Sequence, residues 1–213
     1  MARTSTRNRL IPSLFLAIML SLLPVQVQAR GGVDVPPLDV FIEQVRNGEA
    51  DVLRGVYVPG VLASPVLPQP EGSPAFVSSI ENTLTQFALA SQYGSTGLLA
   101  HNFLAGEDFV LIEPGQVFHL IYGDGRTEAF IVTGQVRVRA LDPNSVRSNF
   151  IDLDTGSLLT APKLFYRIYD QPGRVVLQTC IEAQGDPSWG RLFIIAEPYI
   201  AGELQEGEPV PLD

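Results

Sequence analysis

The sequence is poor in the residues that would indicate a disulfide scaffold or a nucleic-acid-binding protein. Cys180 is the only cysteine among 213 residues, so no intramolecular disulfide can form and the hydrophobic core must hold the fold unaided. There are 14 Lys and Arg residues against 23 Asp and Glu residues, which gives a net charge of −9. Because the chain after the first thirty residues has no basic cluster to contact phosphates, nucleic acid is not an expected partner.

The sequence also offers few ligands for a metal ion or a cofactor. His101, His119 and Cys180 are its only histidine and cysteine residues, and none of them has a second ligand at the short spacing of a metal site. Glycine-rich phosphate loops and dinucleotide fingerprints are absent from the sequence. We therefore expect neither a metal nor a cofactor.

Residues 1–29 have the composition of a signal peptide. Three arginines precede an apolar run over residues 10–25, and Val27-Gln28-Ala29 resembles a small-residue cleavage site. The apolar run falls a little short of the roughly 18 residues of a spanning helix. We expect a cleaved leader, with an uncleaved membrane anchor through residues 10–25 as the alternative. Either one places the rest of the protein outside the cytoplasmic membrane.

The remaining chain divides by composition into three parts. Residues 30–74 are rich in Pro and Gly and are predicted to form an extended tether with one short helix over residues 40–53. Residues 75–200 carry the periodic patterns of a folded domain. Residues 201–213 form an acidic tail, which we expect to be a solvated end.

Short strands dominate the predicted domain. Helices are predicted over residues 78–90 and over residues 161–169, where Thr160 can cap the helix and Pro162 lies in its first turn. The predicted strands are 97–100, 117–122, 128–133, 136–140, 175–179 and 192–196, and Gly123-Asp124-Gly125 marks a hairpin. This pattern predicts a mainly β protein with a closed or nearly closed β-barrel.

Three chemically capable residues lie where predicted strands meet loops. His101 follows one strand, Cys180 ends another, and Arg191 immediately precedes a third. Loops at the ends of rigid strands commonly carry functional side chains. A loop between Cys180 and Arg191, with Trp189 in it, can return Arg191 to the side of Cys180.

The order of these residues resembles the sortases, a family of cysteine transpeptidases of the bacterial cell surface. The resemblance covers about residues 75–198. It is carried by Gly97-Leu98-Leu99-Ala100-His101-Asn102, by the stretch from Phe109 to Tyr122, by Leu177-Gln178-Thr179-Cys180 and by Arg191-Leu192-Phe193-Ile194. This sequence has Val176 in place of the first threonine of the usual Thr-Leu-x-Thr-Cys, and Ala100 where glycine is common. The resemblance implies an eight-stranded β-barrel with a few short helices.

The resemblance also implies an activity and a role for each residue. Cys180 would be the nucleophile that forms a thioester with the substrate, and His101 would move protons to and from the departing and incoming groups. Arg191 would donate hydrogen bonds to the oxyanion or to a substrate carbonyl. The implied partners are a sorting-signal peptide of the Leu-Pro-x-Thr-Gly kind, cut between Thr and Gly, and an amine acceptor on the cell surface.

Substrate contacts are expected around this triplet. We expect Thr179 to bind substrate, and Trp189 either packs on its loop or contacts the substrate. Residues 140–160 are the expected specificity loop, and His119 is interpreted as structural.

Other cysteine chemistries fit the sequence less well. Papain-like enzymes place cysteine before histidine, and L,D-transpeptidases carry a Ser-x-Gly-Cys stretch that is absent around Cys180. Two questions stay open: whether an amine or water resolves the thioester, and whether the protein is instead a catalytically silent exported β-barrel that binds a partner.

Overall fold

The computed structural model describes Met1, residues 35–145 and residues 147–200. The predicted acidic tail and, apart from Met1, the predicted signal peptide lie outside the described residues. Within the described ranges, each helix is too short or too polar to cross a membrane.

Ten β-strands of the described residues form one sheet, accompanied by short helices. The strands are β1 (Leu53–Val58), β2 (Leu62–Pro68), β3 (Leu84–Phe87), β4 (Thr96–Leu99), β5 (Val117–Tyr122), β6 (Thr127–Ala140), β7 (Phe150–Asp152), β8 (Leu158–Leu159), β9 (Val175–Ala183) and β10 (Asp186–Pro198). The helices are α1 (Leu38–Val45), α2 (Ala88–Ser91), α3 (Ala161–Tyr169) and a 3₁₀ helix at Ala105–Leu111.

Eight of the strands close into a barrel. They follow the order β10-β9-β4-β3-β2-β1-β5-β6, and β6 pairs back onto β10 to complete the ring. The first part of the long strand β6 pairs with β5, its last three residues pair with β7, and β8 extends that hairpin beyond the ring. The predicted mainly β, closed eight-stranded barrel is confirmed.

Alternation along the strands separates the barrel interior from its outer surface. On β9, Val175 and Leu177 belong to the interior core, whereas Val176 belongs to a second cluster on the outer face. On β10, Ile194 points inward and Phe193 outward in the same way. Each fully buried aliphatic or aromatic side chain stabilises the fold by about 1.5–3 kcal/mol, so burial of both faces stabilises these two strands strongly.

Helix α3 covers the outer face of β9 and β10. Leu164 and Ile168 on one side of the helix pack in the outer cluster with Val176 and Phe193. The helix has the predicted bounds, and its predicted cap is present, because the Thr160 hydroxyl accepts a hydrogen bond from the Lys163 N–H at 3.4 Å.

The predicted tether over residues 30–74 is wrong in part, because residues 53–68 contribute β1 and β2 to the barrel. The prediction gave the prolines and glycines more weight than the alternating apolar residues between them. Val56, Val58 and Val66 are at most 1% exposed and belong to the barrel core. The predicted helix over residues 40–53 is present in a shorter form as α1, which buries Phe41.

The predicted helix over residues 78–90 is also wrong, since residues 84–87 form β3 and only Ala88–Ser91 are helical. Two residues explain the difference. Ile80 is 61% exposed, so it does not mark a buried helix face, and Asn82 has a φ of 52°, which interrupts a right-handed helix. The predicted hairpin at Gly123-Asp124-Gly125 is confirmed, but its second strand runs on without a break through residue 140 as β6.

Candidate active site

Neighbouring strands of the barrel carry Cys180 and Arg191, and His101 follows the third strand beside them. Strand β9 lies between β4 and β10. Cys180 on β9 is the direct partner of Arg191 on β10, and Leu99 on β4 is the partner of Gln178 on β9. In the Leu99–Gln178 pair, the Ala100 N–H donates to the Gln178 carbonyl oxygen at 3.1 Å. His101 comes two residues after Leu99, beyond the end of β4, and Cys180 comes two residues after Gln178 on β9.

The same register places the side chains of Cys180 and Arg191 on one face of the sheet. Leu99, Gln178 and Phe193 line a single cavity on the outer face of the barrel. Residues two positions apart on a strand share a face. Cys180 and Arg191 follow this spacing from Gln178 and Phe193, so they share the outer face, and His101 lies beyond the end of β4.

Cys180 does not lie at a strand end, contrary to the prediction. Strand β9 continues to Ala183 and β10 begins at Asp186, so the predicted loop between Cys180 and Arg191 is instead a tight hairpin. Gln184 and Gly185 form its turn with φ values of 55° and 78°, the combination that suits a two-residue hairpin turn. The Cys180 thiol is free and half-buried, and within the described ranges it takes part in no side-chain hydrogen bond.

The Arg191 guanidinium is fixed by three backbone carbonyls. Nη1 donates to the carbonyl oxygens of Ser188 and Gly190, both at 2.8 Å, and Nη2 donates to that of Pro143 at 3.2 Å. A guanidinium carries five N–H donors. Two N–H groups therefore have no partner among the described residues.

His101 is held by its neighbours along the chain. Its carbonyl oxygen accepts hydrogen bonds from the N–H groups of Leu104 and Gly106, both at 3.0 Å. The Phe103 ring, which is 66% exposed, stacks on the imidazole with centroids 5.0 Å apart and planes at 17°. The Asn102 side chain donates from Nδ2 to the Pro187 carbonyl oxygen at 3.0 Å. This last bond ties the His101 segment to the hairpin that carries Cys180 and Arg191.

Gly106 lets the 3₁₀ helix approach this segment closely. A Cβ at this position would collide with Thr179 Oγ1 and would lie 2.7 Å from the His101 carbonyl oxygen. The contact also locates the Thr179 side chain. It is 3% exposed, points into the barrel on the face opposite Cys180, and its hydroxyl has no hydrogen-bond partner among the described residues. Thr179 therefore has no surface toward the cavity.

The other expected residues lie apart from the triplet or beside it. Trp189 is half-buried on β10, in the segment where the β9–β10 register shifts. His119 lies on β5, which does not neighbour β9, and partial burial lowers its pKa. In residues 35–145 and 147–200, no three His, Cys, Asp or Glu side chains come together as metal ligands.

A cavity of about 270 Å³ lies beside Arg191. Its walls come from β4, β9 and β10, from α3, and from the segment that follows β6, which contributes Ser145 and Phe150. Arg191 also lines the cavity, and its bond to Pro143 fastens the wall segment to the strand. The predicted specificity loop over residues 140–160 thus lies against the candidate site. Sequence patterns alone could not show where α3, which forms another wall of the cavity, lies relative to Cys180.

Comparisons with known proteins give a likeness to solved structures only. No protein-family model and no curated protein sequence matches this chain. The chain is similar to sortase C1 from Streptococcus suis, with 17% identity, coverage of 78% of this chain and 81% of that chain, and a TM-score of 0.47. It is similar to sortase C-1 from Actinomyces oris at 14% identity, covering 78% and 82% of the two chains with a TM-score of 0.47.

A third solved structure, Streptococcus pneumoniae sortase C, has 16% identity, coverage of 74% of this chain and 70% of that chain, and a TM-score of 0.48. All three of these solved structures are sortases.

Proposed function

We propose that this protein is a sortase-like cysteine transpeptidase or peptidase that acts outside the cytoplasmic membrane. The observation that carries the proposal is the direct pairing of Cys180 with Arg191, next to the strand that leads to His101. Arg191 is the partner of Cys180 on β10, and His101 follows β4, the other neighbour of β9. A positive environment and a proton carrier are what a nucleophilic thiol requires.

The first half-reaction forms an acyl-enzyme. The Cys180 sulfur attacks the scissile carbonyl carbon, and the electron pair of the carbonyl moves to its oxygen. The two remaining N–H groups of Arg191 donate to this oxyanion, which is the charge that a fixed donor stabilises best. The tetrahedral intermediate then collapses to a thioester. The C–N bond breaks, and the His101 imidazolium gives its proton to the departing amine.

The second half-reaction releases the acyl group. An amine or a water molecule attacks the thioester carbon, His101 takes the proton of the attacking group, and the Cys180 sulfur leaves. An amine acceptor makes the protein a transpeptidase, and water makes it a peptidase. The proposed substrate is a sorting-signal peptide of the Leu-Pro-x-Thr-Gly kind, and the proposed acceptor is an amine on the cell surface. Trp189, on the hairpin that carries Cys180 and Arg191, is proposed to contact the peptide.

The reactivity of the thiol tests this proposal. A thiol-selective electrophile at neutral pH should modify Cys180 quickly in the unaltered chain and at least about tenfold more slowly after His101→Ala or Arg191→Ala, because each change removes a group that favours the thiolate. His119→Ala and Arg139→Ala serve as matched controls, since His119 lies away from the triplet and Arg139 is exposed on β6.

Equal and slow modification in the unaltered chain and in every variant would contradict the proposal. That result would favour the alternative, an exported β-barrel that binds a partner without turnover.

A further inference from the structure

A part-buried hydrogen bond fixes one polar side chain in the wall of the cavity. The Tyr169 hydroxyl on α3 donates to Gln178 Oε1 on β9 at 2.6 Å. Tyr169 is 3% exposed, and burial raises the pKa of its hydroxyl, so the group stays protonated and keeps donating. The bond therefore sets the orientation of the Gln178 amide.

The orientation leaves the amide nitrogen available. With Oε1 occupied by Tyr169, the two N–H groups of Nε2 are the free end of the Gln178 side chain. Among the described residues, Nε2 donates to no acceptor. Gln178 lines the cavity, whose walls around it are mostly apolar: Phe87, Leu99, Phe150, Leu164, Ile168 and Phe193. Gln178 is therefore a fixed donor in a largely hydrocarbon pocket.

Gln178 lies at a defined distance from the proposed nucleophile. It shares the outer face with Cys180 two residues away, a separation of about 7 Å along a strand. The half of a peptide that becomes the acyl group must stay bound through both half-reactions, whereas the leaving half departs. A cavity beside the nucleophile therefore suits a side chain of the acyl half, a few residues before the attacked carbonyl.

The chemistry of the pocket decides which side chain it prefers. A hydrocarbon side chain that fills the cavity displaces water and leaves the Nε2 donors without partners, which costs affinity. A side chain of the same shape with an oxygen acceptor restores the lost bond. We propose that Gln178 is a specificity-determining residue that selects an oxygen-bearing side chain over its hydrocarbon isostere in the acyl half of the peptide. This inference rests on the proposed function, because it assumes that a peptide occupies the cavity.

Peptide binding to a variant that lacks the Cys180 thiol tests the inference separately from the proposed catalytic function. The Cys180→Ala variant is titrated with two isosteric pairs of peptides. The first pair is Leu-Pro-Ala-Thr-Gly and Asn-Pro-Ala-Thr-Gly, and the second is Leu-Pro-Met-Thr-Gly and Leu-Pro-Gln-Thr-Gly. In at least one pair, the oxygen-bearing peptide should bind about tenfold more tightly, which is the ratio expected when one buried donor is stranded. Equal affinities in both pairs, tighter binding of the hydrocarbon members, or no binding at all would overturn the inference.

A double variant distinguishes specificity from a purely structural role of Gln178. Gln178→Met alone strands the Tyr169 hydroxyl and is expected to lower stability, but Tyr169→Phe together with Gln178→Met removes both partners and should leave the fold stable. In this double variant, the preference should vanish or reverse toward the hydrocarbon peptide. A preference that survives at its original size would overturn the inference. If binding follows the prediction but the intact chain never acylates Cys180, the inference stands and the proposed catalytic function fails.

Discussion

Cys180 and Arg191 are direct partners across the antiparallel pair of β9 and β10, and the Arg191 guanidinium reaches from there to the Pro143 carbonyl oxygen. One side chain thus contacts both the hairpin of the proposed nucleophile and the segment that walls the cavity. In the proposed function, this double contact links the cavity to the reacting thiol, and the prediction for Arg191 follows from it.

Arg191→Ala and Arg191→Lys should each lower kcat/KM at least about 100-fold, the size of effect expected when an oxyanion donor is lost. Lysine keeps the charge but lacks the planar guanidinium group. That group donates to three carbonyl oxygens and still has two further N–H donors. Hydrogen exchange in residues 141–145 and 147–149 should also become faster, because the bond to Pro143 is lost. Steady-state kinetics and exchange measurements check both effects. Full activity of the lysine variant would show that charge alone suffices, against the proposed role.

Asn102→Ala should lower kcat about 5- to 10-fold and leave KM nearly unchanged. The bond from Asn102 to Pro187 is an exposed hydrogen bond, of roughly 0.5–1.5 kcal/mol, and in the proposed mechanism it positions His101 without touching the substrate. Asn102→Gln keeps a donor and should recover part of the lost kcat. A rise in KM with unchanged kcat would indicate a substrate contact instead of a positioning role.

Thr179→Val should stabilise the fold by about 1 kcal/mol without changing activity. Valine has the shape of threonine but removes a buried hydroxyl that has no partner among the described residues. The free energy of unfolding and kcat/KM measure the two effects separately. If kcat/KM instead falls more than about tenfold, Thr179 takes part in catalysis or substrate binding, as the sequence pattern led us to expect.

Asp152 should make stability depend on pH at the acid end. Its Oδ2 accepts from Arg167 Nη1 on α3 at 2.5 Å, and its Oδ1 accepts from the N–H groups of Asp154 and Thr155, both at 2.9 Å. The bond to Arg167, together with the two backbone bonds, lowers the pKa of Asp152, although burial opposes the shift. Its contribution is therefore present above the unfolded-state pKa of about 3.9 and is lost as the pH falls through the lower folded-state pKa.

Asp152→Asn should accordingly cost about 1.5–3 kcal/mol in free energy of unfolding at pH 7, and the difference should shrink as the pH falls below about 4. Denaturant titrations at pH 7, 5 and 3 measure it. Asp154→Asn is the matched control, since Asp154 is exposed on the same turn and should show little effect. If the difference in free energy of unfolding between the unaltered chain and Asp152→Asn persists or widens at pH 3, the proposed role of the Asp152 carboxylate is contradicted.

The strands that sequence patterns predicted well are those with strict alternation or a clear turn. The β5–β6 hairpin and α3 follow from local signals, namely an Asp-Gly turn and a Thr cap followed by Pro, so their positions were predictable. Strands β1 and β2 were missed because proline and glycine near them indicated a tether. Their place in the barrel depends on long-range pairing with β5 and β3, which local patterns do not contain.

The candidate site shows the same division. The order of His101, Cys180 and Arg191 predicted that they come together; the β9–β10 register pairs Cys180 with Arg191, and His101 follows β4, which pairs with β9. The bonds from Arg191 to Pro143 and from Tyr169 to Gln178 join residues on different elements. Such pairs depend on how α3 and the segment after β6 pack on the barrel. The spacing of residues in the sequence does not reveal this packing.

Intact-mass measurement of the protein during turnover detects the proposed thioester on Cys180. The chain is incubated with the sorting peptides described above, with and without an added amine. We expect a mass increase equal to the acyl fragment, located on Cys180 and cleaved by hydroxylamine as a thioester is, and an amide product when the amine is present. Cys180→Ala should give neither. Peptide cleavage that persists in Cys180→Ala, or the absence of both adduct and product in the unaltered chain, would contradict catalysis by Cys180.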